Sequence, residues 1–215
     1  MNYWKIDKED VCNGEGLRVV LWLSGCSHRC KGCQNPQTWD ADSGIPFDDS
    51  AKEELFRELD KDYISGLTLT GGDPLFESNL DGVLDLVTEV NKRYNTIQYI
   101  DGNAKKDCNI LNENANKFRL SCPKKSIWLY SGYTWQSIME YTPSNTDDFD
   151  YIEESYIDGL YELRKHILYK CDVLIDGQYI DSQRDITLPY RGSTNQRVID
   201  IQQSLQKGEI VLWQT

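Results

Sequence analysis

Three thiols stand close together in Ser24-Gly25-Cys26-Ser27-His28-Arg29-Cys30-Lys31-Gly32-Cys33-Gln34. A loop spaced Cys26-x3-Cys30-x2-Cys33 can curl its sulfurs around one inorganic centre, and no fourth cysteine stands nearby to close the set. A structural zinc site fills four tetrahedral positions. A cubane [4Fe-4S] cluster can be held by three thiolates, with one iron left free for a small molecule. The open count therefore points to a cluster on Cys26, Cys30 and Cys33. One rival stays open: His28 lies inside the loop, so Cys26, His28, Cys30 and Cys33 formally make a Cys3His zinc site, and a non-enzymatic zinc-binding adaptor would follow.

The loop comes directly after Val19-Val20-Leu21-Trp22-Leu23, an apolar run that is β-branched at its start. Such a run suits a buried parallel strand better than an amphipathic one. Ser24-Gly25 ends it, so the cysteines occupy the carboxyl end of a core strand, where α/β sheets and barrels place their chemistry. A helix is expected from Asp48 to Asp60, where Ala51, Leu55, Phe56 and Leu59 recur at helical spacing behind Pro46. Ser65 to Thr70 reads as a second strand ended by Gly71-Gly72. Leu80, Val83, Leu84, Val87 and Val90 then mark a second amphipathic helix.

Asn95 to Lys125 shows no sustained period and reads as an excursion; Cys108 and Cys122 inside it are taken as structural or incidental. Ile127 to Tyr130 is the next strand, ending in Ser131-Gly132. The acids of Asp147 to Glu154 lack the alternation and glycine of a calcium loop and read as a solvated segment. Ile157 to Leu168 suggests a helix, and Val173 to Ile175 a strand. Val198 to Ile201 and Ile210 to Trp213 are expected as two terminal strands, the second entered through a turn at Lys207-Gly208. Cys12 and Cys171 are expected to be buried structural thiols, with an approach to the cluster region as the other reading of Cys12. His166 is expected at or near the surface.

The 215 residues suit one α/β domain spanning 1–215. The longest wholly apolar run, five residues, is far below the roughly 20 of a membrane span. Met1 to Asp7 has no secretory apolar region, so reduced cysteines and a cytoplasmic location are expected. A net charge of −12 argues against nonspecific nucleic-acid binding. Arg18, Arg29 and Lys31 nevertheless lie near the cysteines, as a locally positive mouth or as solvated surface charges. With His28 and His166 the only histidines, and no nucleophile elbow, hydrolase chemistry has little support.

The cysteine spacing is that of radical S-adenosylmethionine (SAM) enzymes. With Asn13-Gly14-Glu15-Gly16-Leu17-Arg18 upstream, it resembles the signature of glycyl-radical-enzyme activating proteins. Thr70-Gly71-Gly72-Asp73-Pro74-Leu75, Asp172-Val173-Leu174-Ile175-Asp176-Gly177 and Tyr190-Arg191-Gly192-Ser193-Thr194-Asn195-Gln196 are similar to one branch, which activates anaerobic ribonucleoside-triphosphate reductases. These blocks keep the family's order from residue 11 to 197. Stretches near 96–124 and 141–165 depart from its shorter pattern and read as insertions.

The resemblance implies an incomplete (βα) TIM-like barrel, with parallel strands and helices outside. It also implies a reduced [4Fe-4S] cluster on Cys26, Cys30 and Cys33 that cleaves SAM and generates a radical on a glycine of the reductase. Pyruvate formate-lyase or another glycyl radical enzyme is an alternative partner, and a flavodoxin- or ferredoxin-type protein is the expected one-electron donor. Gly71, Gly72 and Asp73 are candidates for the methionine end of SAM: glycines let backbone approach, and an acceptor receives the ammonium hydrogens. A tight turn is the other use for them. Ser131 and Gly132 are candidates for the ribose or the methionine. Relatives often carry an aromatic beside the third cysteine, but here Gly32 and Gln34 flank Cys33, so backbone of Gly32, Cys33 and Gln34 would meet the adenine edge.

Overall fold

A strand not foreseen in the sequence, β1 (Asn2–Asp10), precedes the apolar run, which is extended by one residue into β2 (Arg18–Leu23). β1 carries mostly polar or half-exposed residues, because it pairs antiparallel with β2 toward the edge of the sheet. After the cysteine loop come β3 (Ile45–Pro46), α1 (Asp49–Leu59), β4 (Gly66–Gly71) and α2 (Leu80–Val90). Asp48 caps α1 by accepting from the Ala51 amide at 3.0 Å, satisfying one of the helix's first N–H groups. A separate antiparallel sheet follows, made of β5 (Gln98–Asp101), β6 (Ala104–Asp107) and β7 (Arg119–Leu120). The chain then runs through β8 (Ser126–Ser131), α3 (Trp135–Met139), α4 (Tyr151–Tyr169), β9 (Val173–Asp176), β10 (Arg197–Asp200) and α5 (Ile201–Lys207).

This computed structural model describes residues 1–95, 98–101, 104–107, 119–120, 124–142 and 151–214, with backbone alone for 98–101, 104–107, 119–120 and 151–154. Cys108, Cys122 and the first part of the acidic segment lie outside the described residues.

The main sheet has the order β10-β9-β8-β4-β2-β1-β3. Its four central strands, β2, β4, β8 and β9, are parallel, while β1 and β10 flank them antiparallel. Side chains alternate across a strand, so each has two distinct faces. Val19, Leu21, Leu23, Leu67, Leu69, Ile127, Leu129 and Leu174 pack on Leu55, Leu59, Val83, Val87 and Ile167 of the helices, forming the main core. The other face carries a smaller cluster of Trp128, Val173, Ile175 and Val198. There Trp22, Thr70 and Tyr130 are left lining a cavity.

Arg18 corrects the expectation of a surface charge beside the cysteines. It is fully buried, and its guanidinium donates to Thr68 Oγ1 (2.7 Å), Leu67 O (2.7 Å), Ser126 O (2.8 Å), Ser126 Oγ (3.0 Å) and Glu15 O (3.2 Å). Burial lowers its pKa to about 10, so the cation persists at neutral pH. One side chain thereby ties β2, β4 and β8 together at the end of the sheet opposite the cysteines.

The C-terminus also differs from the expected pair of strands. Ile201 to Lys207 is helical, and only Leu212 returns to the sheet, by a single bridge to Ile199. Asp200 caps this helix through the Gln203 amide at 2.9 Å, and Gly208 ends it in the left-handed region (φ 70°). These capping residues outweigh the apolar composition that suggested two strands. No helix among the described residues is long and apolar enough to cross a membrane.

Candidate metal and cofactor site

The carboxyl ends of β2, β4, β8 and β9 open onto one 430 Å³ cavity. Cys26, Cys30 and Cys33 all line it, together with Gln34, Gly71, Gly72, Asp73, Ser131 and Gly132. Gly32 is the one expected site residue not on its wall; a Cβ there would lie 2.7 Å from Asp181 Oδ1, so this glycine lets the cysteine loop rest on the segment after β9.

The cysteine loop is docked by backbone as much as by side chains. The Gly72 amide donates to Leu23 O at 2.7 Å and the Asp73 amide to Gly25 O at 2.8 Å. A Cβ on Gly71 would come within 2.8 Å of Leu23 N, and one on Gly72 would overlap Gly25 O. In this structure the paired glycines thus admit the chain's own loop. Asn79 adds a 2.8 Å hydrogen bond from Nδ2 to Ser24 O.

Asp73 is almost fully buried, and both carboxylate oxygens are occupied. Oδ1 accepts from the Leu75 amide (2.8 Å) and Ser131 Oγ (2.9 Å); Oδ2 accepts from His28 Nε2 (2.8 Å), the Gly132 amide (2.9 Å) and Ser131 Oγ (3.0 Å). Ser131 Oγ in turn accepts from the Tyr133 amide at 3.1 Å. The Asp73 contact fits an Nε2–H tautomer of His28, leaving Nδ1 to accept from Gln178 Nε2 at 3.1 Å. The ring also meets Tyr133 edge-on at 4.7 Å and covers Gly132, where a Cβ would overlap it. Both His28 nitrogens are therefore engaged, and the Cys3His set loses its fourth ligand.

The donor set left is three thiols. Among the described residues no three His, Cys, Asp or Glu side chains are grouped as a single metal ion requires. A cubane takes each thiolate on a different iron, so its ligands surround a body instead of meeting at a point, and three sulfurs on one cavity wall fit that demand. One backbone amide already points at them, that of Asn35, which donates to Cys33 Sγ at 3.4 Å, while the nearby amides of His28 and Arg29 favour the thiolate of Cys26 and that of Tyr179 the thiolate of Cys30. Burial, aided by the Asp73 charge, nevertheless pushes the Cys26 thiol up to about 11, and burial also raises Cys30. In the metal-free protein these groups are thiols, and metal binding displaces their protons.

Cys12 corrects the expectation of a buried thiol: it is exposed, at the cavity edge beside Asn13. Cys171 is fully buried as expected, and its thiol is pushed far up by burial. Arg29 and Lys31 are exposed, as is His166. Several lining residues were not anticipated as site residues: Trp22, Tyr130, Gln178, Tyr179 and Arg191. Only Arg191 lay in a block already singled out, Tyr190 to Gln196; the others sit on strands or just beyond them, with no local signal.

Comparison with known proteins gives first the class. Residues 12–109 and 96–199 match the family model described as 4Fe-4S single cluster domain, and with it an iron-sulfur cluster as cofactor class. The individual relatives are narrower in kind. A protein of Haemophilus influenzae is 33% identical over 198 residues, covering 91% of this chain and 96% of its own. One of Enterobacteria phage T4 is 34% identical, covering 92% and 93%. One of Escherichia coli K12 is 29% identical over 200 residues, covering 92% and 97%. All three are named anaerobic ribonucleoside-triphosphate reductase-activating protein. The chain belongs to this family.

Proposed function

We propose that this chain activates an anaerobic ribonucleoside-triphosphate reductase, with a [4Fe-4S] cluster on Cys26, Cys30 and Cys33 and SAM at the iron those thiolates leave open. The observation that carries the reading is the placement of three thiols, with both nitrogens of the neighbouring histidine engaged, on one cavity at the ends of four parallel strands. The names of the relatives, matched over nearly their whole length, supply the partner. The open sheet with central parallel strands supports the incomplete barrel implied by the sequence motifs.

When bound, the cluster and SAM supply the one-electron chemistry that leaves a radical on a partner glycine. The chain's part is to orient and to exclude water. Asp73 fixes His28, and His28 holds the cysteine loop against Gly132 and Gln178. Trp22 and Tyr130 wall the cavity from the sheet side, where a radical needs shelter from solvent. The electron would come from a flavodoxin- or ferredoxin-type donor.

Mixing the anaerobically reconstituted protein with the reductase, reductant and SAM should produce a glycyl radical signal in the reductase by paramagnetic resonance. A signal that forms equally well with Cys30→Ala contradicts the assignment.

A further inference from the structure

Two of the residues lining the cavity are Asp, Glu, Lys or Arg: Asp73 and Arg191. Asp73 has both oxygens filled by protein donors. Arg191 is not matched in this way. Its Nη1 donates to Gln196 O at 2.7 Å, but its Nε is buried with no hydrogen-bond partner. Among the described residues it makes no ion pair. Asp185 feels its charge, yet Oδ1 of that carboxylate is taken by the amide and hydroxyl of Thr187. A buried guanidinium donor without an acceptor is unfavourable, and a carboxylate is the group its fork fits best.

The position of Arg191 is also fixed in advance. Gln196 accepts from the Gly192 amide at 3.0 Å and donates to Gly177 O at 2.9 Å, tying this turn to the end of β9. On the other side Tyr190, at φ 60°, rests its ring edge-on against Trp128 at 5.0 Å. The guanidinium is therefore held on the cavity wall by a rigid strap.

We propose that Arg191 receives the carboxylate at the amino-acid end of SAM. This rests on the cofactor reading above. The same chemistry on an acidic side chain of the reductase is the other source of a carboxylate, and the test separates the two.

Cluster-reconstituted protein is titrated anaerobically, by calorimetry, with S-adenosylhomocysteine and with its decarboxylated counterpart. In wild type the carboxylate should strengthen binding. In Arg191→Met affinity for S-adenosylhomocysteine should fall by about tenfold or more, while the decarboxylated compound binds as it does to wild type. Arg191→Lys, which keeps the charge but not the fork, should lose less. An equal loss for both compounds in both variants marks Arg191 as a purely structural residue and overturns the proposal. So does unchanged binding of both compounds with weakened capture of the reductase, which would assign the carboxylate to the partner. Wild type that binds neither compound fails the cofactor reading itself; wild type that binds both, with no effect of Arg191, fails this inference alone.

Discussion

Asp73→Asn separates two uses of a buried carboxylate at a ligand cavity. In the structure its oxygens serve four protein donors, the Leu75 and Gly132 amides, His28 Nε2 and Ser131 Oγ. Asparagine keeps one oxygen and replaces the other by an NH2 group. Either orientation sets donor against donor, at Leu75 or at Gly132 and His28, and removes the charge from the remaining bonds. Hydrogen bonds to a charged group contribute about 1.5–3 kcal/mol each. Loss of one or two, partly relieved by relaxation, gives about 3 kcal/mol. For a chain of this size that is a fall in the unfolding midpoint of about 6–12 °C, at about 2–4 °C per kcal/mol. The assay is thermal and urea unfolding of the metal-free protein, so that no ligand enters the comparison. A variant within about 0.5 kcal/mol of wild type that has still lost SAM cleavage would refute the reasoning, because the carboxylate would then serve the ligand and not the loop.

Arg18→Met leaves the acceptors on β4 and β8 without their cation and should cost about 3 kcal/mol by urea unfolding; a cost under about 1 kcal/mol contradicts its role as a tie. Gly132→Ala puts a methyl group into the His28 ring and should lower both stability, by about 1–3 kcal/mol, and iron incorporation; adding His28→Ala makes room and should recover stability. The Cys26 thiol is raised because burial disfavours the thiolate. Its alkylation in metal-free protein, followed by mass spectrometry, should therefore climb about tenfold per pH unit up to about pH 11. A plateau near the ordinary value of 9.0 contradicts the burial.

The elements that the sequence predicted well are those with a strong local pattern. The runs at Val19 to Leu23 and Ser65 to Thr70 became adjacent parallel strands, and the periods in α1 and α2 turned Leu55, Leu59, Val83 and Val87 inward. The three thiols fell on one cavity because they share one loop. What could not be read was set by partners distant in the chain. β1 has little alternation of its own and exists by pairing with β2. The engagement of Asp73 depends on residues 45 to 59 positions away. Arg18 looks like any surface cation until β4 and β8 close over it. Ile210 to Trp213 has strand-like composition, but a capped helix precedes it and leaves one bridge.

Iron and sulfide are to be counted in the anaerobically reconstituted protein, and its paramagnetic spectrum compared before and after SAM is added. An open cluster on Cys26, Cys30 and Cys33 predicts a brown protein with about four irons and four sulfides per chain, whose reduced signal changes when SAM binds. A colourless protein with one zinc, or a cluster whose signal ignores SAM, would contradict it.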